Sequence, residues 1–293
     1  MENIKLNSID DLKKEGKSFY WASFFLPKKL RYNVATLYSI CRYCDNIADN
    51  DDKDRSKQLN SFINDIKQNK NTKINNFFSE NKIKISIFDD LIQGLILDQS
   101  LIRIQNERDL IMYSYKVAGT VGLMMSKIIG IKNPESTSSA IDLGIAMQMT
   151  NIARDVCEDA QMKRIYLPYE WIPNIDLDIL DGQKDLNIQQ NELISNVIHR
   201  LIDLSEKFYK NGFSGLKYIP LKKRLAIFIA ANIYRGIGIK IKKQGKIFLK
   251  ERIYLNSLEK LLISIKSIII FFFVPFINYK YVKIRNNLPN ENI

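Results

Sequence analysis

Two Asp-x-x-x-Asp pairs lie far apart in this chain, each inside a stretch too apolar to be an ordinary solvent-facing helix. They are Asp45 and Asp49 in CRYCDNIAD, and Asp155 and Asp159 in TNIARDVCED. A spacing of four puts both carboxylates of a pair on one helical face, a turn apart. Like charges so placed weaken a helix unless something offsets them. A hard cation is the usual partner. Mg2+ takes one or two protein carboxylates and completes its octahedron with water and phosphate oxygens. Two such pairs facing each other across a cavity would hold Mg2+ and a diphosphate.

One pair alone would more often be a solvated face, so the neighbours decide. Asp45 stands among Cys41, Tyr43, Cys44, Ile47 and Ala48. Asp155 follows Met147, Met149, Ile152 and Ala153, with Gln148 and Asn151 on roughly its own side of the helix. A stripe of Gln148, Asn151, Asp155 and Asp159 in apolar surroundings lines something polar inside the protein. Buried carboxylates require paired cations.

Apolar residues recur at three and four along most of the chain. Val34, Leu37, Tyr38 and Cys41 form one such face, and Ile194, Val197, Leu201 and Leu204 another. Strict alternation is rare. Gly (12) and Pro (7) are sparse among 293 residues, so no linker divides the chain. An all-α bundle with one core follows.

The net charge of +12 raises the question of a nucleic-acid partner. The basic residues are mostly Lys scattered among Asn and Ile, without a recognition motif, and no such partner is expected. Cys41 and Cys44 form a single C-x-x-C, and His199 is the sole histidine. The cysteines therefore read as small core residues, and zinc or histidine-based chemistry is not expected. The N-terminus, MENIKLNSIDDLKKEG, lacks the apolar core of a signal peptide, which points to the cytoplasm.

The segment Leu261 to Tyr279, LLISIKSIIIFFFVPFINY, is the most apolar part of the chain. Its longest run without a polar residue, Ile268 to Ile277, is too short for the ~20 residues of a bilayer span. Two readings stay open: a buried C-terminal helix, or an interfacial segment with Lys280, Lys283 and Arg285 drawn to anionic lipid.

Several long segments resemble the squalene/phytoene synthase family, enzymes that join two prenyl diphosphates head to head. They are KSFYWASFFLP (Lys17 to Pro27), LYSICRYCDNIAD (Leu37 to Asp49), YSYKVAGTVGLMM (Tyr113 to Met125), AMQMTNIARDVCEDAQMKRIYLPYEW (Ala146 to Trp171) and IYRGIGIKIKKQGKIFLKERI (Ile233 to Ile253). Within the family, VAGTVGLMM, RIYLPYEW and YRGIGIK look most like bacterial phytoene synthases. The resemblance implies an all-α, isoprenoid-synthase-type bundle with a central cavity. One domain would span 1–293, with 261–293 as the core or interfacial segment.

By the same resemblance, Asp45, Asp49, Asp155 and Asp159 hold Mg2+, with Mn2+ as a substitute. Tyr113, Tyr234, Arg42 and Arg154 are implied as catalytic residues, the tyrosines near the reacting carbons. The substrate would meet Ser18, Phe19, Arg42, Asp98, Val117, Ala118, Gly122, Gln148, Asn151, Arg154 and Arg252. Gly119 and Gly122 each cost about 1 kcal/mol inside a helix. They serve close approach, either to a prenyl chain or to a neighbouring helix. One departure is Asn46, where many phytoene synthases carry a second acid. It lies about 100° around the helix from Asp45, and the outer pair is intact.

The implied reaction is phytoene synthesis from two geranylgeranyl diphosphates through prephytoene diphosphate, as in carotenoid biosynthesis. Squalene or dehydrosqualene synthesis from farnesyl diphosphate is the alternative within the family. A non-catalytic relative acting as an assembly factor is the alternative outside it. Peripheral contact with the inner face of the membrane would suit an oily substrate. The oligomeric state is left open.

Overall fold

The computed structural model describes residues 8–290 apart from 15, 51, 100–101, 174, 176, 183–185, 245–251, 274–278 and 287. Among the described residues the α-helices run in chain order as follows. The first seven are α1 (Ser8–Lys14), α2 (Lys17–Ser23), α3 (Lys28–Ala48), α4 (Arg55–Lys67), α5 (Thr72–Glu80), α6 (Ile85–Leu97) and α7 (Glu107–Ser114). The rest are α8 (Thr120–Ile129), α9 (Pro134–Arg154), α10 (Val156–Gln161), α11 (Leu177–Leu180), α12 (Ile188–Ser214), α13 (Leu221–Gln244) and α14 (Ser257–Phe273). A π-helical turn, Tyr115–Gly119, joins α7 to α8.

Asparagine starts several of these helices. Asn71, Asn106, Asn133 and Asn187 each accept a backbone N–H of the first turn, which satisfies a donor left without an intrahelical partner. At α9, Pro134 adds its preset φ, and at α12, Gln190 completes a capping box with Asn187. Gly130, at φ +82°, closes α8 in the left-handed conformation.

The all-α expectation holds, with one small exception. Ile102–Arg103 (β1) and Arg164–Ile165 (β2) pair in parallel. Two residues per strand are too few to leave a periodic signature in the sequence.

Helix α9 is the centre of the bundle. Helices α8, α12 and α13 and the π-helical turn all pack along it. Its approach to the π-turn and α8 is backbone to backbone. A Cβ on Gly144 would stand 2.3 Å from the Ala118 carbonyl oxygen, and one on Gly122 would stand 2.2 Å from that of Ala140. Close helix packing therefore accounts for Gly122. Cys41 and Cys44 are buried in the core, as their setting implied.

The end of the chain divides differently from either sequence reading. Helix α14 starts at Ser257 and packs on α13, where Phe271 meets Phe228 and Ile263 lies over Gly236. It also meets α2, where the Trp21 indole donates to Ser264 Oγ at 3.1 Å. Residues 274–278, the latter part of the expected apolar run, lie outside the described residues. Beyond them the chain returns across the bundle.

Arg285, which the interfacial reading set near headgroups, is instead buried. Its Nε sits 2.5 Å from Oδ1 of Asp142 on α9, and the two side chains are 1% and 0% exposed. Asn211 donates to the same carboxylate and to the Val282 carbonyl, and accepts from the Val282 N–H. Further on, Asn290 donates to Asp90, which also accepts from the Tyr115 hydroxyl. Lys280 and Lys283 remain exposed.

Candidate active site

A cavity of about 320 Å3 opens between α2, α3, α8, α9 and α13, within the range of small-molecule sites. One face of α9 lines it from end to end: Ser136, Ser139, Ala140, Leu143, Gly144, Met147, Gln148 and Asn151. That is the three–four spacing of a single helical stripe. The small residues in its middle leave room, and Gln148 and Asn151 make one end polar. Asp45 of α3 joins them there. At 1.5 Å per residue, Ser136 to Asn151 spans about 22 Å.

The remaining walls are mostly apolar. The π-turn brings Val117 and Ala118 to the cavity, and α8 adds Val121 and Gly122. Phe19 of α2 lies against Tyr234 of α13 with ring centroids 4.8 Å apart, and Tyr38 is 6.3 Å from Phe19. All three line the cavity. Burial raises the Tyr234 hydroxyl to about 12, with the Arg154 charge opposing and the Asp155 charge adding to the shift. Tyr234 thus marks the border between the apolar space and the charged end.

The charged end is held by arginines. Arg154 grips the adjacent Asp155 in a fork, with Nε to Oδ1 at 2.7 Å and Nη2 to Oδ2 at 2.5 Å. Arg252 reaches the same carboxylate at 3.1 Å and Glu158 at 3.1 Å. Arg164, on β2, donates to Asp49 at 3.1 Å. The second acidic pair is not on one unbroken helix. Asp155 sits between α9 and α10 with φ −104° and ψ 16°. The bonds from Asp155 N–H to the Asn151 carbonyl and from Asp159 N–H to the Asp155 carbonyl persist through this bend. Asp155 and Asp159 therefore keep nearly the same face. In the first pair, Asp49 is the C-cap residue of α3 and its side chain is half exposed.

Behind this end lies a buried hub. Asp98 is 7% exposed and accepts from Tyr113 at 2.9 Å and Tyr166 at 2.8 Å. The two tyrosine rings stack at 4.6 Å. Burial pushes the Asp98 carboxyl up to about 6, and the Tyr166 hydroxyl, the Arg164 charge and the Tyr113 hydroxyl moderate the rise. Asp159 is raised well above the carboxylate range by burial first and by Asp155 next.

The residues suit a hard dication. Asn151 Oδ1 is buried without a hydrogen-bond partner, at the polar end of the cavity. Asp159, disfavoured as an anion by burial and then by Asp155, would be relieved by a positive charge. The donors are all oxygen, the set that Mg2+ and Mn2+ favour. Among the described residues no three such side chains converge on one point. Mg2+ bound through one or two carboxylates and substrate phosphates does not need three.

The squalene/phytoene synthase family model matches residues 12–259. The chain belongs to the squalene/phytoene synthase family. It is 32% identical over 276 residues to the 15-cis-phytoene synthase of Enterobacter agglomerans, covering 86% of this chain and 90% of the relative. The 15-cis-phytoene synthase of a Paracoccus species is 31% identical, covering 89% and 90%. Among solved structures, a dehydrosqualene synthase in complex with ligand superposes with a TM-score of 0.75 at 28% identity, covering 89% of this chain and 93% of that one. A squalene synthase from Alicyclobacillus acidocaldarius shares the fold, with a TM-score of 0.71 at 19% identity over 82% and 92%. The chain is thus an enzyme of the prenyltransferase type with an isoprenoid-synthase fold.

Most of the family positions lie in the cavity wall or at its charged end. Phe19, Asp45, Val117, Ala118, Gly122, Gln148, Asn151 and Tyr234 line the cavity. Asp49, Asp155, Asp159, Arg154 and Arg252 form the charged end described above. Arg42 and Ser18 are half-buried on α3 and α2. Tyr113 and Asp98 are placed differently: they form the buried hub, and neither is among the cavity-lining residues. Sequence reasoning passed over Arg164 and Tyr166. Both stood in the quoted RIYLPYEW segment, and an arginine beside an aromatic directly after an acidic motif was the available signal.

Proposed function

We propose that this enzyme is a Mg2+-dependent phytoene synthase that condenses two geranylgeranyl diphosphates head to head, with Mn2+ able to replace Mg2+. The observation that carries the reading is a cavity, charged at one end only, that runs about 22 Å along α9. At about 1.25 Å of advance per bond of ~1.5 Å, an extended geranylgeranyl chain reaches about 19 Å and a farnesyl chain about 14 Å. The likeness to the two phytoene synthases supports the same chain length.

Asp45, Asp49, Asp155 and Asp159 would hold the metal. When bound, Mg2+ stabilises negative charge on the departing diphosphate. Arg42, Arg154, Arg252 and Ser18 donate to the diphosphate oxygens, a preorganised field that favours charge separation. In the first half-reaction the C–O bond of one substrate breaks and diphosphate leaves. The double bond of the second substrate attacks the allylic cation, a cyclopropane closes and a proton is lost. The product, prephytoene diphosphate, keeps the second diphosphate. Its C–O bond then breaks, the carbon skeleton rearranges, and loss of a proton gives phytoene. No reductant is consumed. The ring faces of Phe19 and Tyr234 favour the cations, and the apolar walls keep water from quenching them. In this reading 1–293 act as one domain, in the cytoplasm and in contact with the membrane that receives the product.

The likeness to a dehydrosqualene synthase supports a second reading, with farnesyl diphosphate as substrate. Four retained aspartates and the unpartnered Asn151 Oδ1 argue against a non-catalytic relative. Product analysis decides between these. Purified protein with Mg2+ and geranylgeranyl diphosphate, without NADPH, is expected to form phytoene. Exclusive use of farnesyl diphosphate would overturn the chain length, and no turnover of either would overturn the activity.

A further inference from the structure

Helix α14 is apolar on both sides. Its inner face, with Ile263, Ile270 and Phe271, packs on the core and buries Ser264 and Ser267. Its outer face carries Leu258, Leu261, Leu262, Ile265, Ile269 and Phe272, each between 43% and 62% exposed. At 100° per residue these six fall within an arc of about 100°. Contiguous exposed apolar surface of this kind marks an interaction site.

We infer that the outer face of α14 is a lipid-docking surface that lays this helix in the interface of an anionic bilayer. Two observations favour lipid over a second copy of the chain. The first is charge. Lys266 is exposed on the flank of the stripe, and Lys17 of α2 lies within electrostatic reach of Lys260. The one acid of α14, Glu259, is taken up by Lys240 at 2.7 Å. A stripe with a basic rim on a chain of net charge +12 attracts anionic headgroups and repels its own copy. The second is position. Helix α14 packs on α2 and α13, and these same helices wall the cavity through Phe19, Ala22, Ala226 and Tyr234. Docking there puts the bilayer on the far side of two cavity walls.

In this proposal the helix lies in the interface; among the described residues no helix is long and apolar enough to span a membrane. The inference borrows its purpose, release of an oily product, from the prenyl-substrate reading, but it is read out without any prenyl substrate.

The test is co-sedimentation of the full chain with vesicles of phosphatidylcholine, alone or mixed with phosphatidylglycerol. Leu262→Gln with Ile269→Gln is expected to lower partition onto the mixed vesicles at least about tenfold. Lys266→Glu is expected to lower binding to the mixed vesicles alone, and only at low salt. It also tests the surface should the double variant fail to fold. Turnover on detergent-solubilised substrate should be unchanged in both. Equal sedimentation of wild type and variants at low salt would overturn the proposal. So would a wild-type dimer in analytical ultracentrifugation that the double variant dissociates while vesicle binding persists, since the face would then belong to a second copy. Failure to make phytoene would leave the vesicle result standing.

Discussion

Replacing Arg285 with alanine should cost about 3–5 kcal/mol, although the residue lies far from the acidic motifs in sequence and close to the end of the chain. The carboxylate it leaves behind, Asp142, is 0% exposed on the central helix. Asn211 and Tyr281 would still donate to it, but neither carries charge. Unfolding entropy of about 2.1 cal/mol/K per residue over 293 residues makes each kcal/mol worth roughly 1.6 °C, so Tm should fall by about 5–8 °C. The loss should also depend on pH. Burial already holds the Asp142 carboxyl above its ordinary range, and the Arg285 charge opposes that shift. Without Arg285 the folded pKa rises further. An acid with a raised folded pKa destabilises the fold above that pKa, and the penalty fades as pH falls toward the unfolded value of about 4. The gap between wild type and variant should therefore be widest near neutrality and narrow in acid. Asp142→Asn with Arg285→Met should recover more than half of the loss, since no buried charge remains. Denaturant titrations at several pH values measure all three. A gap below about 1 kcal/mol, or one independent of pH, would refute the buried pair as the anchor of the C-terminal segment.

Asp45→Asn and Asp159→Asn should each lower turnover at least about a hundredfold with the helical circular dichroism intact; near-wild-type rates in both at limiting Mg2+ would remove the two-pair site. In metal-free buffer Asp98→Asn should be more stable than wild type at neutral pH by up to about 3 kcal/mol, because the folded pKa of about 6 stands some two units above the ordinary value. Wild type should close that gap as pH falls from ~6 to ~4, and a constant gap across the window would contradict the burial of an ionised Asp98. Gly144→Ala should cost about 1–3 kcal/mol, since its Cβ would stand 2.3 Å from a backbone oxygen that only a helix displacement can move; an unchanged Tm would show that α9 and the π-turn can separate freely.

The parts of this architecture that repeat along the chain were legible in the sequence. The faces of α3 and α12 appear as apolar residues at three and four. The stripe Gln148, Asn151, Asp155, Asp159 announced a polar end to an apolar space. What stayed hidden depends on single long-range contacts. The bend at Asp155 leaves no mark, because its i to i−4 bonds persist on both sides. Arg285 reads as a surface cation until the chain is seen to return over α9 and meet Asp142. Arg164 owes its place to a strand pairing of two residues, below the length at which alternation exists. The outward stripe of α14 left both a core and an interfacial reading open. An apolar run cannot say which of its sides is covered, and here the inner side holds the serines.

The π-helical turn Tyr115–Gly119 amounts to one residue more than α-helical winding needs. Upstream, α7 aims Tyr113 at Asp98; downstream, α8 sets Gly122 against the Ala140 carbonyl. Removing the extra residue would rotate one helix relative to the other by about 100°. Either the tyrosine would leave its carboxyl partner or the glycine would leave its contact with α9. The two functions are therefore kept in phase by residue count. Substitution within Tyr115–Gly119 that respects size can be absorbed locally, whereas a one-residue insertion or deletion there changes where a whole helix faces.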